Sequence, residues 1–176
     1  MRIRPRNRLK VLILCAFYLI STIQLSWAES SKLLAIDIAM QMTPFFSFEN
    51  GNSTGVFCLI TNDPPSKGEQ ENMISKASKI SPPLKFEILQ NPKESGRCQY
   101  IYIDYSDALF FEKSMPFVNK KSLLIGTSED LLYANGHVAL IRVATRFTIN
   151  INKKNMLKSG IRPSSQILNL SKILIE

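Results

Sequence analysis

The chain is poor in the residues that enzymes use most. Its 176 residues include one histidine, His137. A lone histidine cannot build a histidine-rich metal site, and no Cys-x-x-Cys pair stands in for one. His137 follows Gly136 at the start of an apolar run, which reads as a structural or surface position. Glycine is scarce too, at seven. Gly51 and Gly55 lack the following Lys-Ser/Thr of a phosphate-cradling loop. Gly126-Thr127-Ser128 opens like a nucleophile elbow, but Asp130 stands where the second glycine belongs. The elbow also needs a histidine on a later loop, and His137 follows too closely. Glu129 and Asp130 are adjacent rather than a facing pair of carboxylates, which suits capping better than acid–base work. No catalytic, cofactor-binding or metal-binding residue is assigned. The profile is that of a binding or regulatory module rather than an enzyme.

What the chain does have begins at its N-terminus. Arg2, Arg4, Arg6, Arg8 and Lys10 precede an apolar run from Val11 to about Leu25, followed by Ser26-Trp27-Ala28. This pattern reads as a secretory signal peptide, residues 1–28, cleaved after Ala28. The alternative is an uncleaved anchor, but the run is short against the roughly 20 residues of a membrane span. The leader holds five basic and no acidic residues, so the formal charge of +8 falls to 17 basic against 14 acidic residues beyond it. Lys120-Lys121 and Lys153-Lys154 are scattered, without aromatic interleaving. A nucleic-acid partner is therefore not expected.

Cys15 belongs to the leader, which leaves Cys58 and Cys98. In an oxidising compartment they are expected to pair, although two buried free thiols would also fit. In the chain-entropy model, closing a loop of 40 positions is worth roughly 3–4 kcal/mol.

Residues 29–176 read as one domain. Residues 32–48 open with helix formers, although their alternation also permits a strand. Residues 56–60 (VFCLI) read as a buried strand, 67–79 as a surface helix and 84–89 as a strand. Residues 98–105 (CQYIYIDY) are large on both faces, as in a central strand covered on both sides. Asp107 would cap a helix to about Met115. A strand at 122–126 and a hairpin at 137–143 and 146–152 (HVALIRV, RFTININ) follow. A short helix then stops at Gly160, and Pro163-Ser164-Ser165 starts a last helix burying Ile167, Leu168, Leu170, Ile173 and Leu174. The order predicts a three-layer α/β single domain with a mixed β-sheet flanked by helices. Asn52-Ser53-Thr54 matches a glycosylation sequon, a weak signal. Phe45, Phe46 and Phe48 read equally as a contact patch or as core.

Residues 123–174 carry a more specific pattern. It comprises Thr127-Ser128-Glu129-Asp130 after a strand, Gly136 in a loop, Val138–Val143 and Phe147-Thr148-Ile149-Asn150. Gly160-Ile161 and Ser164-Ser165 before Ile167, Leu168 and Leu170 complete it. This resembles the YfiR family of bacterial periplasmic proteins. The resemblance extends over about residues 33–174, and some members carry cysteines on strands matching those of Cys58 and Cys98. It implies structural motif positions at Gly136, Phe147, Ile149, Asn150, Gly160, Ser165 and Leu168. Asn150 is expected to bond a neighbouring loop and fix the turn into residues 154–160. Family members often have paired glycines where Asn135-Gly136 stands, Trp-Pro near Phe46–Glu49, and Glu in place of Thr148. These departures bear on partner choice more than on fold. The resemblance implies a periplasmic repressor without catalysis of its own. Its partner would be the periplasmic domain of a membrane-bound diguanylate cyclase, restraining cyclic-di-GMP signalling and biofilm formation. A homodimer is compatible with that reading. The Cys58–Cys98 pair would be either a redox switch or a staple. A small periplasmic solute-binding protein, with a site near Thr127–Asp130 at the strand carboxyl ends, is the alternative.

Overall fold

The computed structural model describes residues 31–49, 55–104 and 108–175. The leader with Cys15, the Asn52-Ser53-Thr54 sequon and the Asp107 cap lie outside the described residues. Residues 31–42 are helical (α1). Ala35, Ile36, Ala39 and Met40 are fully buried, a spacing that makes one face of a helix and that no strand could bury together. Pro44 ends the helix in a 3₁₀ turn (Thr43–Phe45). The chain then enters a short strand, β1 (Phe46–Phe48), paired antiparallel with β8 (Ile161–Pro163). Phe46 is buried and Phe45 and Phe48 half-buried. Phe48 meets Tyr100 edge-on at 5.6 Å between centroids, so this aromatic run packs inward.

From Ala35 onward the chain forms one unit, built on a seven-stranded sheet. Its elements are β2 (Val56–Ile60), α2 (Lys67–Ala77), β3 (Lys85–Leu89), β4 (Tyr100–Ile103), α3 (Ala108–Ser114), β5 (Leu123–Gly126), α4 (Asp130–Tyr133), β6 (Val138–Val143), β7 (Arg146–Asn152), α5 (Lys153–Lys158), α6 (Ser165–Leu170) and β9 (Ser171–Ile175). The strand order is β3-β2-β4-β5-β6-β7-β9. The first five strands are parallel, β7 returns antiparallel to β6, and β9 runs parallel to β7. The predicted mixed sheet is present.

The connections set the layers. β2–α2–β3 moves toward one sheet edge, and β4–α3–β5–α4–β6 moves toward the other. Right-handed crossovers therefore put α2 on one face and α3 and α4 on the opposite one. Strand alternation sorts the core to match. Cys58, Ile60, Ile101, Ile103 and Leu124 join Phe111, Val118 and Leu131 in one cluster. Phe57, Leu59, Tyr100, Tyr102, Leu123 and Ile125 fill the other face and are buried as well. Phe57 stacks on Phe86 at 6.0 Å. A strand buried on both sides explains why Tyr100–Ile103 is large at every position.

The C-terminal segment departs from expectation. The last helix stops at Leu170, and Ser171–Ile175 is a strand on β7 rather than helix. Only Ile167 of α6 is fully buried, whereas Leu170 is 73% exposed. The six-residue helix is too short to stand on its own propensity. The β7 edge offered the following apolar residues a ladder, and the pairing of Ile151 with Ile173 took it.

Candidate functional site

Cys58 lies at the centre of β2, opposite Glu87 in β3 and Ile101 in β4. Cys98 closes the 3₁₀ turn Pro92–Arg97 that leads into β4. The two are joined in a disulfide, with 5.9 Å between Cα atoms. That separation is within the ordinary range. Cys98 lies just before the stretch of β4 that pairs with β2, and the 3₁₀ turn it closes packs against β2. Ser122 Oγ donates to the Cys98 carbonyl, and Gln99 Oε1 accepts from the Gly55 N–H at 3.0 Å, fixing both sides of the bridge. Neither cysteine is exposed, and both sit in the cluster with Ile60, Leu89, Ile103 and Phe111. Attack by an external thiolate needs access to a sulfur, and expelling a thiolate into apolar surroundings is unfavourable. The geometry is that of a staple.

The RFTININ strand carries a second constellation. Its Asn150 and Asn152 are both buried. Asn152 is the residue that fixes the turn into the helix after it: its Oδ1 accepts from the Asn155 N–H at 2.9 Å, capping α5. Its Nδ2 donates to the Leu132 carbonyl at 2.9 Å. Asn155 Nδ2 adds bonds to the Leu132 and Gly136 carbonyls, both 3.1 Å. These bonds answer one carbonyl in the last turn of α4 and one in the loop after it. Asn150 does bond a neighbouring loop, through Nδ2 to Glu129 Oε1 at 2.7 Å. It does not set the turn, and its Oδ1 has no hydrogen-bond partner among the described residues. The Asn-x-x-Asn spacing at 152 and 155 was the available signal for the cap.

His137 belongs to this same knot. Its Nδ1 accepts from the Leu124 N–H at 2.9 Å, so the ring proton sits on Nε2 and is donated to Ser159 Oγ at 3.0 Å. Burial pulls its pKa down to about 4, with a backbone hydrogen bond to Asn155 acting weakly the other way. A base whose folded pKa lies below its unfolded value stabilises the fold fully above the unfolded pKa. That stability is lost as pH falls from about 6.5 toward the folded value. The loss should reach about 3 kcal/mol near pH 4. Urea midpoints of wild type and His137→Gln between pH 7.5 and 4 should converge as pH falls; parallel curves would contradict this assignment.

The other motif positions also serve the scaffold. Asn135 has φ +71°, the left-handed conformation that glycine and asparagine accommodate best. This accounts for the Asn-Gly at a place where family members often have two glycines. Gly160 has φ +70° and ends α5, and its carbonyl accepts from the Glu49 N–H at 2.9 Å. Phe147 and Ile149 are half-buried on β7. Ser164 caps α6 while Ser165 is exposed, and Leu168 is half-buried beside the buried Ile167. Ser128 Oγ accepts from the Asp130 N–H at 3.2 Å and donates to Asp130 Oδ2, a turn closure at the start of α4.

At the carboxyl ends of the strands, connections diverge between β2 and β4, the switch point of this topology. That crevice is not at Thr127–Asp130. Thr61 Oγ1 donates to the buried Asp104 Oδ2 at 3.0 Å across it. Tyr102 bonds Thr127, and burial, with the Asp104 charge, pushes its phenol pKa well up. A separate cleft of about 380 Å³ lies beside Phe111, Met115, Val118, Leu124 and Ala134. No group of three or more His, Cys, Asp or Glu side chains placed to hold a metal occurs among the described residues. No helix among them is long and apolar enough to cross a membrane.

The chain is thus a disulfide-stapled α/β module built on a mixed seven-stranded sheet. A family model described as YfiR/HmsC-like matches residues 34–172, and the chain belongs to that family. No curated protein matches it. Among solved structures it is similar to the ABC domain in complex with L-Trp from Streptococcus pneumonia, at 12% identity and a TM-score of 0.51. It is also similar to a conserved domain protein from Vibrio cholerae O1 biovar eltor, at 11% identity and a TM-score of 0.54. Each match covers 80% of this chain and 59% of the other. At such identities the likeness is one of fold. The chain spans under two thirds of the length of either structure.

Proposed function

We propose that this chain is a periplasmic regulatory protein. In this reading residues 1–28 direct export, and residues 29–176 repress a membrane-bound diguanylate cyclase by binding its periplasmic domain. Repression would lower cyclic-di-GMP synthesis and biofilm formation, with no catalysis by the chain itself. The observation that carries the reading is the family match over residues 34–172. The disulfide supports it, since Cys58 and Cys98 pair where an oxidising compartment would let them. The amides of Asn152 and Asn155 and the His137 ring are committed to bonds within the fold, which leaves the surface to act. Co-purification from membranes in oxidising buffer tests the proposal. Retention of a membrane protein with a cyclase domain is expected, and its absence from the retained fraction would overturn the reading.

The solute-binding alternative would use the cleft beside Phe111 and Leu124, whose size is at the lower end for small-molecule sites. Saturable heat of binding for an apolar amino acid, lost in Ala134→Trp, would favour it.

A further inference from the structure

The β6–β7 hairpin outruns its sheet. β5 pairs with β6 only at Val138 and Ala139. β9 pairs with β7 only from Ile149 onward. The β6–β7 ladder nevertheless continues to the pair Val143 and Arg146. Among the described residues, 141–148 are thus a two-stranded ribbon with a strand on neither side. Such a ribbon is marginal in water by itself, and its outer N–H and C=O groups stand unpaired by any strand.

Its side chains are patterned. Cross-strand partners share a face, so Arg142 stands with Phe147 on one side and Arg146 with Val143 on the other. Val143 is 56% exposed, both arginines are exposed, and Phe147 is half-buried. No acidic residue occurs between Val138 and Thr148. Arg142 Nε reaches only the Ala144 carbonyl, at 3.2 Å. Neither guanidinium has a carboxylate partner among the described residues.

We propose that this ribbon is the docking arm for an acidic face of a folded protein partner. The ribbon would insert into that face, Arg142 pairing with a partner carboxylate beside Phe147 on one side and Arg146 with another beside Val143 on the other. Guanidinium groups suit this because their fork of donors matches a carboxylate and because they desolvate more readily than ammonium groups. The open ladder edges separate a protein from a membrane as the occupant. A partner's backbone can satisfy those N–H and C=O groups, whereas lipid tails cannot. One apolar side chain on each face also offers little to a bilayer. The partner's identity rests on the repressor reading above.

The test uses the oxidised mature chain and the purified periplasmic domain of the diguanylate cyclase retained in the co-purification. Wild type should bind, and Arg142→Glu/Arg146→Glu should lose about tenfold or more in affinity, mostly at low salt. Both positions are exposed, so the melting temperature should not move; the single variant Arg146→Glu provides a milder check. If wild type binds and a stably folded double variant binds equally well, the docking arm is refuted and the repressor reading stands. If wild type does not bind, the repressor reading fails and the arm's partner with it. Binding to phosphatidylglycerol vesicles that disappears in the double variant, without effect on the cyclase domain, would overturn the proposal in favour of a membrane surface.

Discussion

Gly136→Ala is expected to cost about 3 kcal/mol or more, because it places a methyl group where backbone already stands. A Cβ built on Gly136 falls 2.6 Å from the Leu131 carbonyl oxygen and 2.8 Å from Leu131 Cδ1. The chain cannot simply back away. The Gly136 N–H donates to that same carbonyl at 2.7 Å, and the Gly136 carbonyl accepts from Asn155. Leu131 is itself packed into the cluster around the disulfide, so it has nowhere to yield. The melting temperature should fall by roughly 6–12 °C for a domain of this size. Gly96→Ala provides the control: nothing lies within 4 Å of its added Cβ, and it should melt with wild type. A Gly136→Ala protein as stable as that control would contradict the close approach of α4 to this loop.

Removing the bridge should be about as costly. Cys58→Ala/Cys98→Ala is expected to lose about 2–5 kcal/mol, since the unfolded chain regains the freedom of a closed 40-residue separation. The burial of both sulfurs adds a second, kinetic expectation. A mild dithiol should not reduce the folded protein, and reduction should follow unfolding instead. Alkylation after reduction, read by mass spectrometry with and without urea, measures this. Cysteines labelled only in urea are the expected result. Rapid labelling in native buffer, with loss of partner binding on reduction, would replace the staple with a redox switch.

Much of the fold was legible because burial and period agree in this chain. The continuous apolar runs at 56–60 and 100–103 read as buried strands and are inner strands of the sheet, and the alternation at 146–152 marked a strand. The pairing of Cys58 with Cys98 needed only two cysteines and the expectation of export. The site was less legible. Strand alternation put Thr148, Asn150 and Asn152 on one polar side, but only Thr148 is exposed. β9 lies against β7 from Ile149 onward, and Asn155 and the α4 carbonyls meet Asn152 from other elements, so the two asparagines are internal. That difference depends on contacts across tens of residues, which no local period encodes.

By itself the sequence determined the class of the domain and most of its sheet strands, and it offered Cys58 and Cys98 as a pair, because these follow from residue type and short-range spacing. The tertiary structure decided the strand order, the conversion of residues 171–175 from helix to strand, and the burial of His137 and the two asparagines. It also left the β6–β7 ribbon uncovered beyond its neighbours. Each of these depends on which distant segment supplies the hydrogen bonds and excludes water. The chain can settle that only by folding.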